Sequence, residues 1–162
     1  MWSNNTPVIY RSMKPDEESA VIDLVLNVFY EFVAPQYSNE GISEFKKIAS
    51  ADALADRLKG ENFVVVAESD RKIIGFIEMR ENSHIALLFV EKPYQHKGIA
   101  KELIQRSIEI CKKRNPGIQT ITVNSSPNAV AAYRKIGFKG LDNEKVSNGI
   151  RFVPMELNLK RI

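Results

Sequence analysis

Between Phe63 and Val90 the chain reads FVVVAE, KIIGFIEMR and SHIALLFV, three strand-length apolar runs separated only by the turn residues SDR and Glu81-Asn82. Connections that short cannot carry a crossover, so the runs must pair as an antiparallel meander. The next segment, Gly98 to Arg114, places Ile99, Ala100, Leu103, Ile104, Ile108 and Cys111 at helical spacing and is ended by Pro116-Gly117. Ile118 to Asn124 then reads as a further strand, and a strand reached through a helix from SHIALLFV is expected to lie parallel to it. One sheet must therefore hold a meander and a parallel pair together.

The flanks fit the same sheet. Val8 to Arg11 can form a short strand, and Pro15-Asp16-Glu17 suits the first turn of a helix whose inner face is Val21, Leu24, Val25, Val28 and Phe32. The aromatic-rich FYEFVAPQYSNEG (29–41), broken by Pro35 and Gly41, reads as a loop. Ile42–Ala49 and Ala51–Leu58 follow as short helices, with Phe45 and Ile48 inward on the first and Ser50 placed to cap the second. After Ile118–Asn124, Ser126-Pro127 opens a short helix over Val130–Ile136 that Gly137 closes, and Asn148-Gly149 marks a tight hairpin. The fold class is α/β (α+β): a mixed, mostly antiparallel sheet with helices packed on it. With 162 residues, 44% of them hydrophobic, one domain over 1–162 can bury its own core.

Several function classes lose ground. A net charge of +3 with short, dispersed basic clusters provides no stripe for nucleic acid. The apolar runs are of strand length and the start, MWSNNTPVIY, lacks the features of a leader, so no membrane partner is expected and the setting reads as cytoplasmic. The single cysteine, Cys111, falls on an apolar helix face and reads as a small core residue. Two histidines and one cysteine far apart in sequence suggest no metal. A homodimer is left open.

The chemistry concentrates at EKPYQHKGIAK (91–101), where a strand enters a helix through one glycine and QHKGIA contains no acid. Unpaired N–H groups of a first helical turn, with the helix dipole behind them, favour a phosphate. Gly98 lets the ligand approach the backbone, and Lys97 and Lys101 add positive charge. There is no GxxxxGK[ST] and no GxGxxG, which weakens the P-loop and dinucleotide readings.

The stretch LFVEKPYQHKGIAKELI resembles the acetyl-CoA signature [Q/R]-x-x-G-x-[G/A] of the GNAT superfamily of N-acetyltransferases. ITVNSSPNAVAAYRKIGF (121–138) is similar to that family's strand and short helix with an A-x-x-x-Y-x-x-x-G-F ending, here Ala129, Tyr133, Gly137 and Phe138. The close resemblance covers residues 84–140. It implies a GNAT-like sheet of about six to seven strands with a splayed parallel pair and helices on both faces. It further implies that Gln95, His96, Lys97, Gly98, Ile99, Ala100 and Lys101 hold the pyrophosphate of acetyl-CoA, and that Leu88, Phe89 and Val90 pair with the pantetheine arm. Asn124 is implied to reach the same arm, and Tyr133 to donate to the departing thiolate. Many members carry asparagine seven residues before the tyrosine, where this chain has Ser126.

Transfer to an amine needs that amine neutral, and an alkyl ammonium of pKa near 10.4 is deprotonated only about once in 2,500 at pH 7. Glu78, mid-strand, is the first candidate base, with His84 and Glu91 as others or a water chain in their place. The backbone N–H of Val90 is the expected polariser of the thioester carbonyl. Tyr30 and Tyr37, with Glu40, would line an acceptor pocket built from 29–41 and the 138–152 hairpin, suited to a small-molecule or peptide amine. Three readings remain: an acetyl-CoA-dependent N-acetyltransferase, transfer of another acyl group, and a CoA-binding module without catalysis.

Overall fold

The computed structural model describes residues 6–161. Strand β1 (Val8–Ser12) pairs with β2 (Phe63–Ser69), which continues through β3 (Lys72–Arg80) to β4 (His84–Val90), all antiparallel. Each meander turn uses consecutive left-handed residues, Asp70 and Arg71 at φ 52° and 64° and Glu81 and Asn82 at 56° and 53°. That turn geometry matches the twist of paired strands. β5 (Thr120–Ser125) lies parallel to β4, as a helical crossover demands. The last long strand, β8 (Ile150–Asn158), runs antiparallel to β5. The sheet has eight strands rather than six or seven, because β6 (Lys139–Gly140) and β7 (Lys145–Ser147) both pair with β8. Runs of two and three exposed residues carry no alternation from which a strand can be read.

Helices cover both faces. On one, α4 (Ile99–Arg114) and α5 (Val130–Ile136) bury Leu103, Ile104, Ile108 and Tyr133 against Ala67, Ile77, Ile85 and Val123. Gly75 makes the close approach of α4 possible, since a Cβ there would stand 3.3 Å from both Ile99 and Leu103. Cys111 is fully buried in this layer, and burial pushes its thiol up to about 11, so it is packing and not a nucleophile.

On the other face lie α1 (Glu18–Val28), α2 (Asn39–Ile48) and α3 (Ala51–Leu58). Val21, Leu24, Val25 and Val28 point inward as their spacing requires. Beyond them the expected loop is absent. The chain continues as a π-helical turn over Phe29–Val33 and a 3₁₀ turn over Ala34–Gln36. The extra residue of the wide turn rotates Phe29 and Val33 into the core and leaves Phe32 only partly buried. Pro15 lies in the turn before α1, not in its first turn. Ser50 caps α3 by accepting from Ala53 N at 3.1 Å, and Ser38 caps α2 by accepting from Gly41 N at 3.2 Å. Among the described residues no helix is long and apolar enough to cross a membrane.

Candidate active site

The parallel pair is joined only at its beginning, His84 opposite Thr122 and Ile85 opposite Val123. Immediately afterwards the β3–β4 register shifts: Met79 faces Ile85, Glu78 faces Leu87, and Ala86 is the extra residue of a bulge. A bulge bends its strand, and here it turns β4 away from β5. The two strands then diverge around a cleft of about 570 Å³, lined from both faces of the sheet: Ser126, Ala129 and Tyr133 from the α5 side, Phe29, Phe45 and Arg57 from the α1–α3 side. A ligand entering from one side can therefore meet a ligand entering from the other.

Which β4 amides face the cleft follows from the ladder. Glu91 N donates to Ile74 O at 2.8 Å, so in this register the N–H groups of Phe89 and Leu87 also point to β3. Those of Leu88 and Val90 point the opposite way, toward the edge that β5 has left. The Val90 carbonyl is already taken by the Gln95 side-chain amide, at 2.9 Å. Gln95 thus ties the turn back to the strand it leaves.

That turn delivers the chain to α4 with His96 and Gly98 both left-handed, at φ 62° and 83°. The first bond of α4 runs from Glu102 N to Gly98 O, so the N–H groups of Ile99, Ala100 and Lys101 ahead of it are left for a ligand. Apart from its chain neighbours, no protein atom lies within 4 Å of where a Gly98 Cβ would stand. The cradle faces open space, with Lys97 Nζ held 5.8 Å from the Tyr94 ring beside it.

Tyr133, 7% exposed, stands at the cleft with its ring edge-on to Phe138, 5.2 Å between centroids. Its hydroxyl has no hydrogen-bond partner among the described residues, and burial raises its pKa. Asn124 and Ser126 line the cleft, and the Ser126 hydroxyl makes no capping bond, which leaves it available to a ligand.

Glu78, the first candidate base, is 0% exposed. Arg57 grips it with two hydrogen bonds, Nε at 2.7 Å and Nη2 at 3.0 Å, and Asn62 donates a third at 2.7 Å. Arg57 also donates to Ile48 O at 2.9 Å. His84 lines the cleft near its closed end, with Nδ1 2.8 Å from Thr122 Oγ1. Burial first, then the charge of Arg80, lowers its pKa. Glu91 is engaged by Lys72 at 2.8 Å and does not line the cleft.

Tyr37 lines the cleft, and its hydroxyl donates to Arg151 O at 3.5 Å. Tyr30 does not: it is 44% exposed on the outer side of the π-helical turn, with Lys46 Nζ 5.5 Å from its ring. The π-helical turn over Phe29–Val33 carries Tyr30 outward, whereas Tyr37 follows the 3₁₀ turn in extended backbone. Sequence reasoning passed over Arg57, Asn62 and Phe152, which all line the cleft. A larger groove of about 910 Å³ beside α4 takes in only Lys101 of the motif residues.

The profile of the acetyltransferase (GNAT) domain family matches residues 33–159. The chain belongs to the GNAT family of acetyltransferases. It is 30% identical over 106 residues to an uncharacterized N-acetyltransferase of Methanocaldococcus jannaschii, a match covering 59% of this chain and 46% of the relative. To an uncharacterized Bacillus subtilis protein it is 29% identical over 94 residues, 57% of each. The chain thus spans about half the length of the curated relatives it matches. Among solved structures, a GCN5-related N-acetyltransferase from Rhodopseudomonas palustris superimposes with a TM-score of 0.80 at 23% identity, covering 96% and 97% of the two chains. PaiA N-acetyltransferase from Thermoplasma acidophilum, solved with coenzyme A, gives 0.77 at 24% identity over 94% and 99%. These likenesses show the fold.

Proposed function

We propose that this protein transfers an acetyl group from acetyl-CoA to a primary amine, by direct attack of the amine on the thioester. The observation that carries the reading is the wedge between β4 and β5, with unpaired strand amides on one wall, a phosphate cradle at its mouth and the Tyr133 hydroxyl inside. The structure solved with coenzyme A shares this fold, which supports the same donor here.

The pyrophosphate takes the cradle from Gln95 to Lys101, and the pantetheine arm lies along Leu88–Val90 as an added strand. From Val90 to Leu87 the strand spans roughly 10 Å at about 3.3 Å per residue. An extended arm therefore carries its thioester down to the bulge. There the Leu88 N–H, the deeper of the two open amides, polarises the carbonyl, one step below Val90. The amine nitrogen adds to the carbonyl carbon and the C–S bond breaks as the adduct collapses. The proton lost by nitrogen ends on the sulfur. Because Tyr133 has its pKa raised, it remains protonated and stabilises the thiolate by a hydrogen bond rather than by surrendering its own proton.

The incoming ammonium must first lose a proton. Glu78 is the sequence candidate, yet both its oxygens already accept from Arg57 and one of them also from Asn62, so its role in this reading is to hold Arg57 at the cleft floor. His84 is the acceptor we assign: uncharged near neutrality, and in the tautomer that carries its proton on Nδ1, facing Thr122, it presents Nε2 as the acceptor. Two results check this. The acidic limb of kcat/KM should titrate below pH 6.5 and disappear in His84→Gln; an unchanged limb returns the role to Glu78 or water. Glu78→Ala should cost about 3–5 kcal/mol of stability, as breaking one half of a buried pair does, read by chemical denaturation; a loss below about 1 kcal/mol would contradict the floor role.

The same histidine makes stability depend on pH. Its folded pKa lies below 6.5, so between those values the unfolded chain binds more protons. His84 should therefore contribute full stability above pH 6.5 and lose it progressively as pH falls toward its folded value. The unfolding midpoint of His84→Gln should be the less pH-dependent of the two across that window.

A further inference from the structure

We infer that the acceptor is a small monoamine carried on an apolar or aromatic body, an arylalkylamine in chemical class; this rests on the transfer reading above. Two side chains carry the inference. Ile48, expected in the core, is 40% exposed, and Phe152 on β8 is half-buried. Both line the cleft, and neither belongs to the core cluster on either face of the sheet. Apolar surface left outside both core clusters, inside a cleft that also holds a reaction centre, is surface for a substrate to cover.

Charge narrows the class. The buried Arg57–Glu78 pair cancels itself, and Glu44 at the rim is matched by Lys47 at 2.9 Å. Arg80 also lines the cleft and has no ion pair among the described residues. The acceptor side therefore carries no spare negative charge. A polyamine or an aminoglycoside would bring several ammonium groups with no carboxylate to receive them, whereas a monoamine discharges its single cation before reacting.

Shape narrows it further. The β7–β8 hairpin is clamped on the start of α2: a Cβ on Gly41 would fall against the Gly149 carbonyl, and one on Gly149 against Gly41 N. Arg151 fastens the same wall, bonding Glu144 twice, at 2.7 and 3.1 Å, and the Gln36 carbonyl at 3.1 Å. A wall fixed at backbone contact does not swing aside for a lysine on a folded protein.

The test is the rate of thiol release from acetyl-CoA with phenethylamine, spermidine, kanamycin and a lysine-bearing peptide, for the full chain and for Phe152→Ala and Ile48→Asn. The inference expects kcat/KM for phenethylamine at least about tenfold above the other three. Each variant should raise the phenethylamine KM about tenfold, leaving kcat and the acetyl-CoA KM within about twofold. Preference for spermidine, kanamycin or the peptide overturns the acceptor class and leaves the transfer reading intact. So does an unmoved phenethylamine KM in both variants. Absence of thiol release with every amine in the panel, while calorimetry shows acetyl-CoA bound, overturns the transfer reading and this inference with it.

Discussion

Gly98→Leu is expected to weaken coenzyme A binding about a hundredfold or more while the protein stays folded. The Cβ of the new side chain meets no protein atom beyond its chain neighbours within 4 Å. Its intramolecular cost is limited to holding a non-glycine residue at φ 83°, about 1–2 kcal/mol. Its cost to the ligand is larger. Each charge-assisted amide bond to phosphate is worth about 1.5–3 kcal/mol, and a leucine in the cradle forfeits two or more. Gly98→Asn separates the two effects, since asparagine tolerates the left-handed region: its melting temperature should stay close to the parent's while affinity still falls. Calorimetry showing unchanged CoA affinity in the leucine variant would mean that the pyrophosphate binds elsewhere.

Tyr133→Phe should lower kcat about a hundredfold and leave CoA affinity within about twofold. The ring's packing against Phe138 survives the change, and the hydroxyl has no protein partner to lose. What disappears is a donor whose use begins when charge develops on sulfur, an interaction of the transition state and not of the bound donor. Equal rates in the two proteins would reduce Tyr133 to a core residue.

The turn into α4 and the helix that carries Tyr133 were legible in the sequence because each is local. Gln95-x-x-Gly98-x-Ala100 and Ala129-x-x-x-Tyr133 fix their own turns and helices, and the parallel pair follows from one crossover. The α1–α3 side of the cleft was not legible, since it depends on which elements meet. Tyr30 and Tyr37 look equivalent in a loop, but a π-helical turn sends one to solvent while the other reaches the cleft. Ile48 fits the apolar stripe of α2 and only the tertiary structure exposes it. Arg57 reads as an ordinary last-turn cation on α3, and Glu78 as one polar residue in a strand; only the packing of α3 over β3 joins them. The bulge at Ala86, which opens the wedge, leaves no mark in the run SHIALLFV.

The claim that this wedge transfers acetyl groups is tested most directly by following free thiol and product mass together when the protein is incubated with acetyl-CoA and, in turn, phenethylamine, spermidine, kanamycin and the lysine-bearing peptide. Thiol release that depends on the amine, with one N-acetylated amine formed per thiol, is the predicted result. Saturable acetyl-CoA binding with no amine-dependent thiol would contradict it and leave a coenzyme-binding module in its place.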